Sequence, residues 1–371
     1  MQQKIRLQVF HDIVKASRRN FMAFRVVSYR ALIALALATI MSLIAFPSPT
    51  AFADQSPPET LAQIPPPSYS DASVSADWVA VPGGLAYHSC IYEVPNGSEV
   101  SESGIVTLNG KVIKNIPACP YSGIVPALNS TPSNQNRSNL DLDASEPPAT
   151  RGFVGGWWLS TWWTASADLT KVSIKWKVPA NPTNSGATLF LYASIKPTKA
   201  ASGLLQPVLQ WGAGNGNGSN SWAIASWYVA SPGGNSVHSP LLATASGHNL
   251  SGSILRANNT TSGWSVEITD TTTGKGTGSL FNTGITSWRS VQGAVLEIGK
   301  NDKGEALIKA CNQLPNVTQF EMDQIIPTTT SGAVPPFFAP DSGHPSVSSC
   351  NARIGTGISP PPFFWDPKAS S

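Results

Sequence analysis

The sequence predicts an all-β protein, an antiparallel β-sandwich, from three observations. Between Val172 and Val178 every second residue is apolar and the intervening residues are serine or lysine, a period of two that is typical of a strand with one buried face. Similar short segments recur through the second half of the chain, separated by Gly, Asn, Ser and Thr, and no segment has the pattern of an amphipathic helix of normal length. Many short strands at regular spacing indicate an antiparallel sandwich.

The predicted strands follow one another through a main domain at residues 151–327, which is long enough for one core. They are Val172–Val178, Thr188–Ile195, Pro207–Trp211, Trp222–Val229, Asn249–Leu255, Trp264–Thr269, Val291–Ile298, Ala306–Ala310 and Val317–Ile325. Residues 54–150 read as Pro/Ser-rich linkers around a small β-rich extension or a propeptide. Residues 328–371 form a Pro/Ser-rich C-terminal tail.

The first 53 residues have the three parts of a secretory signal peptide. Arg25 and Arg30 precede an apolar segment at 31–46, and Ala51-Phe52-Ala53 follows as the cleavage site. The apolar segment is shorter than the ~20 residues of a membrane span, although an uncleaved anchor is the alternative. A start at Met22 would give a leader of ordinary proportions. We expect a secreted protein, extracellular or periplasmic, that meets a membrane only through this signal peptide.

The formal net charge of +3 belongs to this leader. Residues 1–53 hold seven of the 24 basic side chains and one of the 21 acidic ones, so residues 54–371 carry 17 and 20, a net charge of −3. A nucleic-acid binder would need a basic surface. The sequence therefore predicts no nucleic-acid partner, and we expect a monomer.

All four cysteines, Cys90, Cys119, Cys311 and Cys350, follow the leader. An even number in an oxidising compartment predicts two disulfides. Proximity along the chain favours Cys90–Cys119 and Cys311–Cys350, while the two other connectivities stay open. Without a Cys-x-x-Cys spacing or a dense group of histidines and carboxylates, the sequence predicts neither a metal nor a cofactor.

Two predicted strands place one polar side chain among apolar ones. Around Gln210, Leu209 and Trp211 point to one face and Gln210 to the other; around Glu297, Leu296 and Ile298 point to one face and Glu297 to the other. If the two strands are neighbours, an amide and a carboxyl group meet on one surface of the sheet.

These segments resemble the glutamic peptidases, or eqolisins, in the same order along residues 151–323. Gly155–Trp158, Val172–Pro179 and Leu191–Ile195 are similar to the early strands of that family, Val208–Gly212 to its Leu-Gln-Thr-Gly motif, Ser226–Tyr228 to its aromatic strand and Leu296-Glu297 to its Ala-Glu segment. The resemblance implies a concanavalin-like sandwich of the jelly-roll type, with Gln210 and Glu297 as the catalytic pair. Tyr192 stands where the family has Trp, and Lys196 and Gly214 stand where it commonly has acidic residues.

The resemblance also implies a secreted acid endopeptidase whose partner is a polypeptide substrate. Glu297 would activate water and then protonate the leaving amine, and Gln210 would donate to the oxyanion. Since an isolated glutamate titrates near about 4.3, we expect activity at acid pH. Tyr192, Trp211, Trp227 and Tyr228 are the predicted substrate-binding residues. The alternatives are a non-catalytic, carbohydrate-binding (lectin-like) sandwich whose partner is a glycan, and a structural extracellular protein.

Overall fold

The structure, a computed structural model, describes ten parts of the 371-residue chain. They are residues 78–120, 156–198, 203–212, 220–230, 234–257, 262–299, 306, 308–340, 349–356 and 360–369. All belong to one compact unit, residues 72–371. The predicted signal peptide belongs to the other unit, residues 1–71, and lies outside the described residues. Among the described residues, no helix is long and apolar enough to cross a membrane.

The described residues form short strands joined by turns and by 3₁₀ segments of three residues. The strands are β1 (Trp78–Val81), β2 (Gly84–Tyr87), β3 (Ile91–Glu93), β4 (Glu99–Val100), β5 (Ile105–Leu108), β6 (Lys111–Asn115), β7 (Gly156–Thr164), β8 (Leu169–Lys177), β9 (Leu189–Pro197), β10 (Leu204–Trp211), β11 (Trp222–Val229), β12 (Ser236–His238), β13 (Leu242–Ala243), β14 (Asn249–Arg256), β15 (Gly263–Asp270), β16 (Lys275–Asn282), β17 (Trp288–Ile298), β18 (Gln319–Phe320), β19 (Met322–Thr329), β20 (Gly332–Ala333), β21 (Ala339–Pro340), β22 (Arg353–Ile354) and β23 (Phe363–Phe364).

Two sheets make the sandwich. The front sheet has the order β21-β7-β17-β9-β10-β11-β12-β3, with β13 beside β11; the back sheet has the order β20-β19-β8-β14-β15-β16-β4-β5-β6. A β1-β2 hairpin and a small sheet, β18-β23-β22, complete the described strands. Neighbouring strands are antiparallel except for β3 beside β12 and β4 beside β16. The predicted all-β sandwich is confirmed.

The main core lies between the sheets and is rich in tryptophan. Trp176 of the back sheet, and Trp264 and Trp288, are fully buried there with the apolar residues of β9, β10 and β17 that point inward, such as Leu191 and Leu209. A buried side chain of this size stabilises the fold by about 1.5–3 kcal/mol. The back sheet keeps one face partly exposed, as the alternation in β8 predicts.

The front sheet, in contrast, is buried on both faces. A second apolar cluster on its outer face includes Phe190, Tyr192, Val208 and Trp227, and the β1-β2 hairpin covers it with Ala80, Val81 and Ala86. The rest of the N-terminal extension adds β3 to the front sheet and β4, β5 and β6 to the back sheet. Thus the extension completes both sheets and closes one outer face.

Three predictions from the sequence have clear outcomes here. The disulfides Cys90–Cys119 and Cys311–Cys350 are confirmed. The predicted strand Ala306–Ala310 is wrong: Ala306 makes an isolated bridge and residues 308–310 are outside any strand, because the chain there turns into the 3₁₀ segment Cys311–Gln313. Within Val317–Ile325, the structure has two strands, β18 and β19, with Glu321 between them.

Candidate active site

The register of three central strands of the front sheet brings Gln210 and Glu297 to one face. Phe190 of β9 pairs with Gln210 of β10 on one side and with Glu297 of β17 on the other. Directly paired residues of a sheet point the same way. Strands about 4.8 Å apart place the two backbones about 10 Å apart, so the long side chains can converge above Phe190. Both side chains are 1% exposed.

Two donors hold the Glu297 carboxylate. The Tyr192 hydroxyl donates to Oε2 at 2.7 Å, and the backbone N–H of Gly83 donates to the same oxygen at 2.6 Å. Burial, and then the negative charge of Glu297, raise the pKa of Tyr192 well above its usual value. Tyr192 therefore stays protonated as a donor to the carboxylate. The Trp157 indole N–H in turn donates to the Tyr192 hydroxyl, so Glu297 is oriented by a buried hydroxyl that a half-buried indole supports.

Gly83 lies in the turn of the β1-β2 hairpin, and this turn contacts the face of the front sheet that carries Gln210 and Glu297. The residue before it, Pro82, accepts a hydrogen bond at 2.7 Å from Nε2 of Gln206, which is fully buried. Gln206 precedes Gln210 by four positions on β10, so both point to the same face. The hairpin thus places backbone polar groups against the side chains that face it from the sheet.

The structure brings Tyr192 and Trp227, but not Trp211 and Tyr228, to this face. Trp227 belongs to the outer cluster and stacks on His238 with ring centroids 4.4 Å apart. Burial lowers the pKa of His238, so this stack is with a neutral ring at neutral pH. Trp211 packs edge-on against Trp222, 5.2 Å away, in the core between the sheets.

Tyr228 also points inward, because it alternates with Trp227 along β11. Its ring lies 5.9 Å from that of Phe281 on the back sheet. Burial, followed by the charge of Glu102, raises the pKa of Tyr228 to about 12. Since both Trp211 and Tyr228 lie on the opposite side of the front sheet from Glu297, we leave them out of the proposed site.

Two buried glutamines of this face, Gln206 and Gln292, were not identified from the sequence. Gln206 lies just before Pro207, where the predicted strand begins; a strand extended by one residue would have included it, and β10 begins at Leu204. Gln292 of β17 pairs with Ser194, and its Oε1 accepts a hydrogen bond from the Ser194 hydroxyl at 2.6 Å. A register shift between Gln292 and Val295 reverses the alternation of inward and outward side chains. Counting every second residue back from Glu297 therefore assigns Gln292 to the core, although it lies on the outer face.

The positions where the chain departs from the eqolisin pattern are occupied in the structure by other contacts. Tyr192 supplies the hydroxyl donor to Glu297. The Lys196 ammonium lies over the rings of Trp157 and Trp162, 5.1 Å and 4.9 Å from their centroids. Gly214 lies outside the described residues. Within the described part of the chain, no group of three or more His, Cys, Asp or Glu side chains is placed to hold a metal ion.

Comparison with known proteins finds similarity at the level of structure. No family model matches the sequence, and no curated protein matches it. The chain is similar to scytalido-glutamic peptidase in crystal structures with a peptide-based transition-state analogue (14% identity, 57% of this chain and 100% of that chain, TM-score 0.41) and with a transition-state analogue inhibitor (14%, 58% and 99%, TM-score 0.40). It is also similar to SCP-B, a member of the eqolisin family of peptidases, in complex with the tripeptide Ala-Ile-His (14%, 58% and 99%, TM-score 0.38).

Proposed function

We propose that this protein is a secreted acid endopeptidase of the glutamic type. The observation that supports the proposal is the pairing of Phe190 with both Gln210 and Glu297, which sets an amide and a carboxyl group on one buried face against a segment of peptide. The two disulfides are compatible with secretion. The similar structures described above are of peptidases bound to a peptide-based analogue and to a tripeptide, and their similarity to this chain is one of fold.

In the proposed reaction Glu297 is the general base. Its carboxylate takes a proton from a water molecule, and the hydroxide attacks the carbonyl carbon of the substrate. Gln210 donates its amide N–H to the oxyanion that forms, an interaction that can lower the barrier by about 3–4 kcal/mol. Glu297 then passes the proton to the leaving nitrogen, and the C–N bond breaks. Tyr192 keeps the carboxylate oriented through its hydrogen bond at 2.7 Å.

Substrate can reach Glu297 only when the β1-β2 hairpin leaves the face, because the Gly83 N–H lies 2.6 Å from the carboxylate. This agrees with the interpretation of residues 54–150 as a propeptide, although β3 to β6 of the same extension are built into the sheets. We propose that the hairpin, rather than the whole extension, is what must be displaced.

The carbohydrate-binding alternative depends on aromatic rings open to solvent. Trp227 and Tyr192, the aromatic residues that were predicted to bind substrate and that lie on this face, are fully buried, and Trp227 already stacks on His238. His238 belongs to β12 and not to the hairpin, so one face of the Trp227 ring stays covered even when the hairpin is displaced, and we retain peptide hydrolysis.

The test is cleavage of casein at about pH 4 by the full chain with the substitution Gly83→Ala. This substitution is expected to destabilise the packing of the hairpin on the front sheet. We expect cleavage that survives pepstatin and metal chelators and is abolished by Glu297→Gln. The matched control is Glu267→Gln, which changes an exposed glutamate on the back sheet. If Glu297→Gln leaves cleavage intact, the proposal is wrong.

A further inference from the structure

One peptide group of the hairpin is held at both of its polar ends by the front sheet. Gln206 Nε2 donates to the carbonyl oxygen of Pro82 at 2.7 Å. The N–H of the same peptide group, on Gly83, donates to Glu297 Oε2 at 2.6 Å. Both distances are those of strong hydrogen bonds. A single peptide bond therefore lies between an amide donor and a carboxylate.

This is the arrangement that hydrolysis of a peptide bond requires. Negative charge develops on the carbonyl oxygen, so a donor must face it. The nitrogen must receive a proton as it leaves, so an acid must face it. Gln206 donates to the oxygen of the Pro82–Gly83 group. The nitrogen of that group faces Glu297, the carboxylate that becomes the required acid once it has taken a proton from water.

We propose that the Pro82–Gly83 peptide group lies where a substrate peptide group binds, and that Gln206 is a further substrate-binding residue that holds the substrate carbonyl. The inference rests on the proposed function for its catalytic part, and on the hairpin contacts for its binding part. Gln206 lies on the same face of β10 as Gln210, four residues or about 13 Å away along the strand, so it adds a second amide that binds the substrate and does not replace Gln210.

The other buried glutamine of the face provides a matched comparison. Gln292 accepts its hydrogen bond from Ser194 of the neighbouring strand at 2.6 Å, a contact within the sheet. Both side chains are fully buried. Replacing either one by methionine removes an amide at nearly constant volume. Loss of burial or packing would affect both variants alike, whereas loss of a substrate contact would affect only Gln206→Met.

The test uses the full chain with Gly83→Ala and a synthetic peptide with the sequence of residues 78–87. Peptide binding is measured at pH 7 by titration calorimetry, and kcat/KM for the same peptide is measured at about pH 4. We expect Gln206→Met to weaken peptide binding about tenfold and to lower kcat/KM about 100-fold. We expect Gln292→Met to change each by less than about threefold.

The two readouts separate the failure of this inference from that of the proposed function. If Gln206→Met weakens binding but the Gly83→Ala chain cleaves nothing, the peptide site stands and the peptidase proposal fails. If cleavage occurs and Gln206→Met leaves binding and kcat/KM unchanged, the role of Gln206 is refuted. Equal losses in the Gln292→Met variant, or no peptide binding by the Gly83→Ala chain, would also overturn it.

Discussion

Replacement of Gly83 by alanine tests whether the hairpin closes the site. Gly83 has φ +101°, a conformation that L-residues rarely adopt, and a β-carbon at this position would lie 2.5 Å from Cδ1 of Leu204. The left-handed backbone costs about 1–2 kcal/mol, and the methyl group of Leu204, at the end of a flexible side chain, must also shift. The backbone strain alone destabilises the seated hairpin by about 1–2 kcal/mol, which raises the released population about fivefold to 30-fold.

Hydrogen–deuterium exchange of residues 78–87, read by mass spectrometry, measures this release directly. We expect exchange in the Gly83→Ala chain to accelerate there while the strands of the back sheet keep their protection. The matched control is Gly110→Ala in the β5–β6 turn. Gly110 has φ +75° with no atom within 4 Å of the added carbon, so this variant carries the backbone strain alone. If residues 78–87 exchange equally slowly in both variants, the account of the closed face is wrong.

Three further predictions concern the stability and the support of the site. Tyr192→Phe removes a buried donor to Glu297 and should lower the free energy of unfolding by about 2 kcal/mol and the cleavage rate about tenfold or more; a variant unchanged in both urea denaturation and rate would refute the role of the hydroxyl. Burial raises the pKa of Asp270, but hydrogen bonds from His248, Thr244 and the Thr273 amide outweigh it and hold the pKa below its usual value. The ionised form therefore stabilises the fold above about pH 4, and this contribution is lost as the pH falls through the lowered pKa. Asp270→Asn should lower the free energy of unfolding by about 1.5–3 kcal/mol at pH 7 and by less at pH 2. An equal cost at both pH values would contradict this. Serine at both Cys311 and Cys350 opens a loop with a sequence separation of 39 and should cost about 3–4 kcal/mol, which thermal denaturation with and without reductant would show; a wild-type melting temperature would contradict it.

Alternation along single strands predicted most of the long strands of the sandwich and the inward and outward sides of β10 and β17. The pattern assigned Leu209 and Leu296 to one face and Gln210 and Glu297 to the other, and the core clusters have this arrangement. The same rule placed Trp211 opposite Gln210, where the structure has it. With a period of two, Trp211 points to the core, away from Gln210. Its predicted role in substrate binding was not consistent with that orientation.

Contacts distant in sequence could not be predicted in this way. Gly83 and Glu297 are 214 positions apart, and no local pattern indicates that the hairpin lies on the front sheet. The strand β16 was not predicted because glycines interrupt its sequence, Lys275–Asn282, and a glycine weakens the strand pattern. The position of Gln292 depends on a bulge in β17, which changes the alternation by one residue.

The central claim is that the face beneath the hairpin hydrolyses peptide bonds through Glu297. Its most direct test is the rate of casein cleavage at about pH 4 by the Gly83→Ala chain with and without Glu297→Gln, with folding verified by circular dichroism. A general base contributes about 10²–10⁴-fold, so we predict that the second substitution lowers the rate by at least about 100-fold. A rate within about twofold of that of the Gly83→Ala chain would contradict the claim.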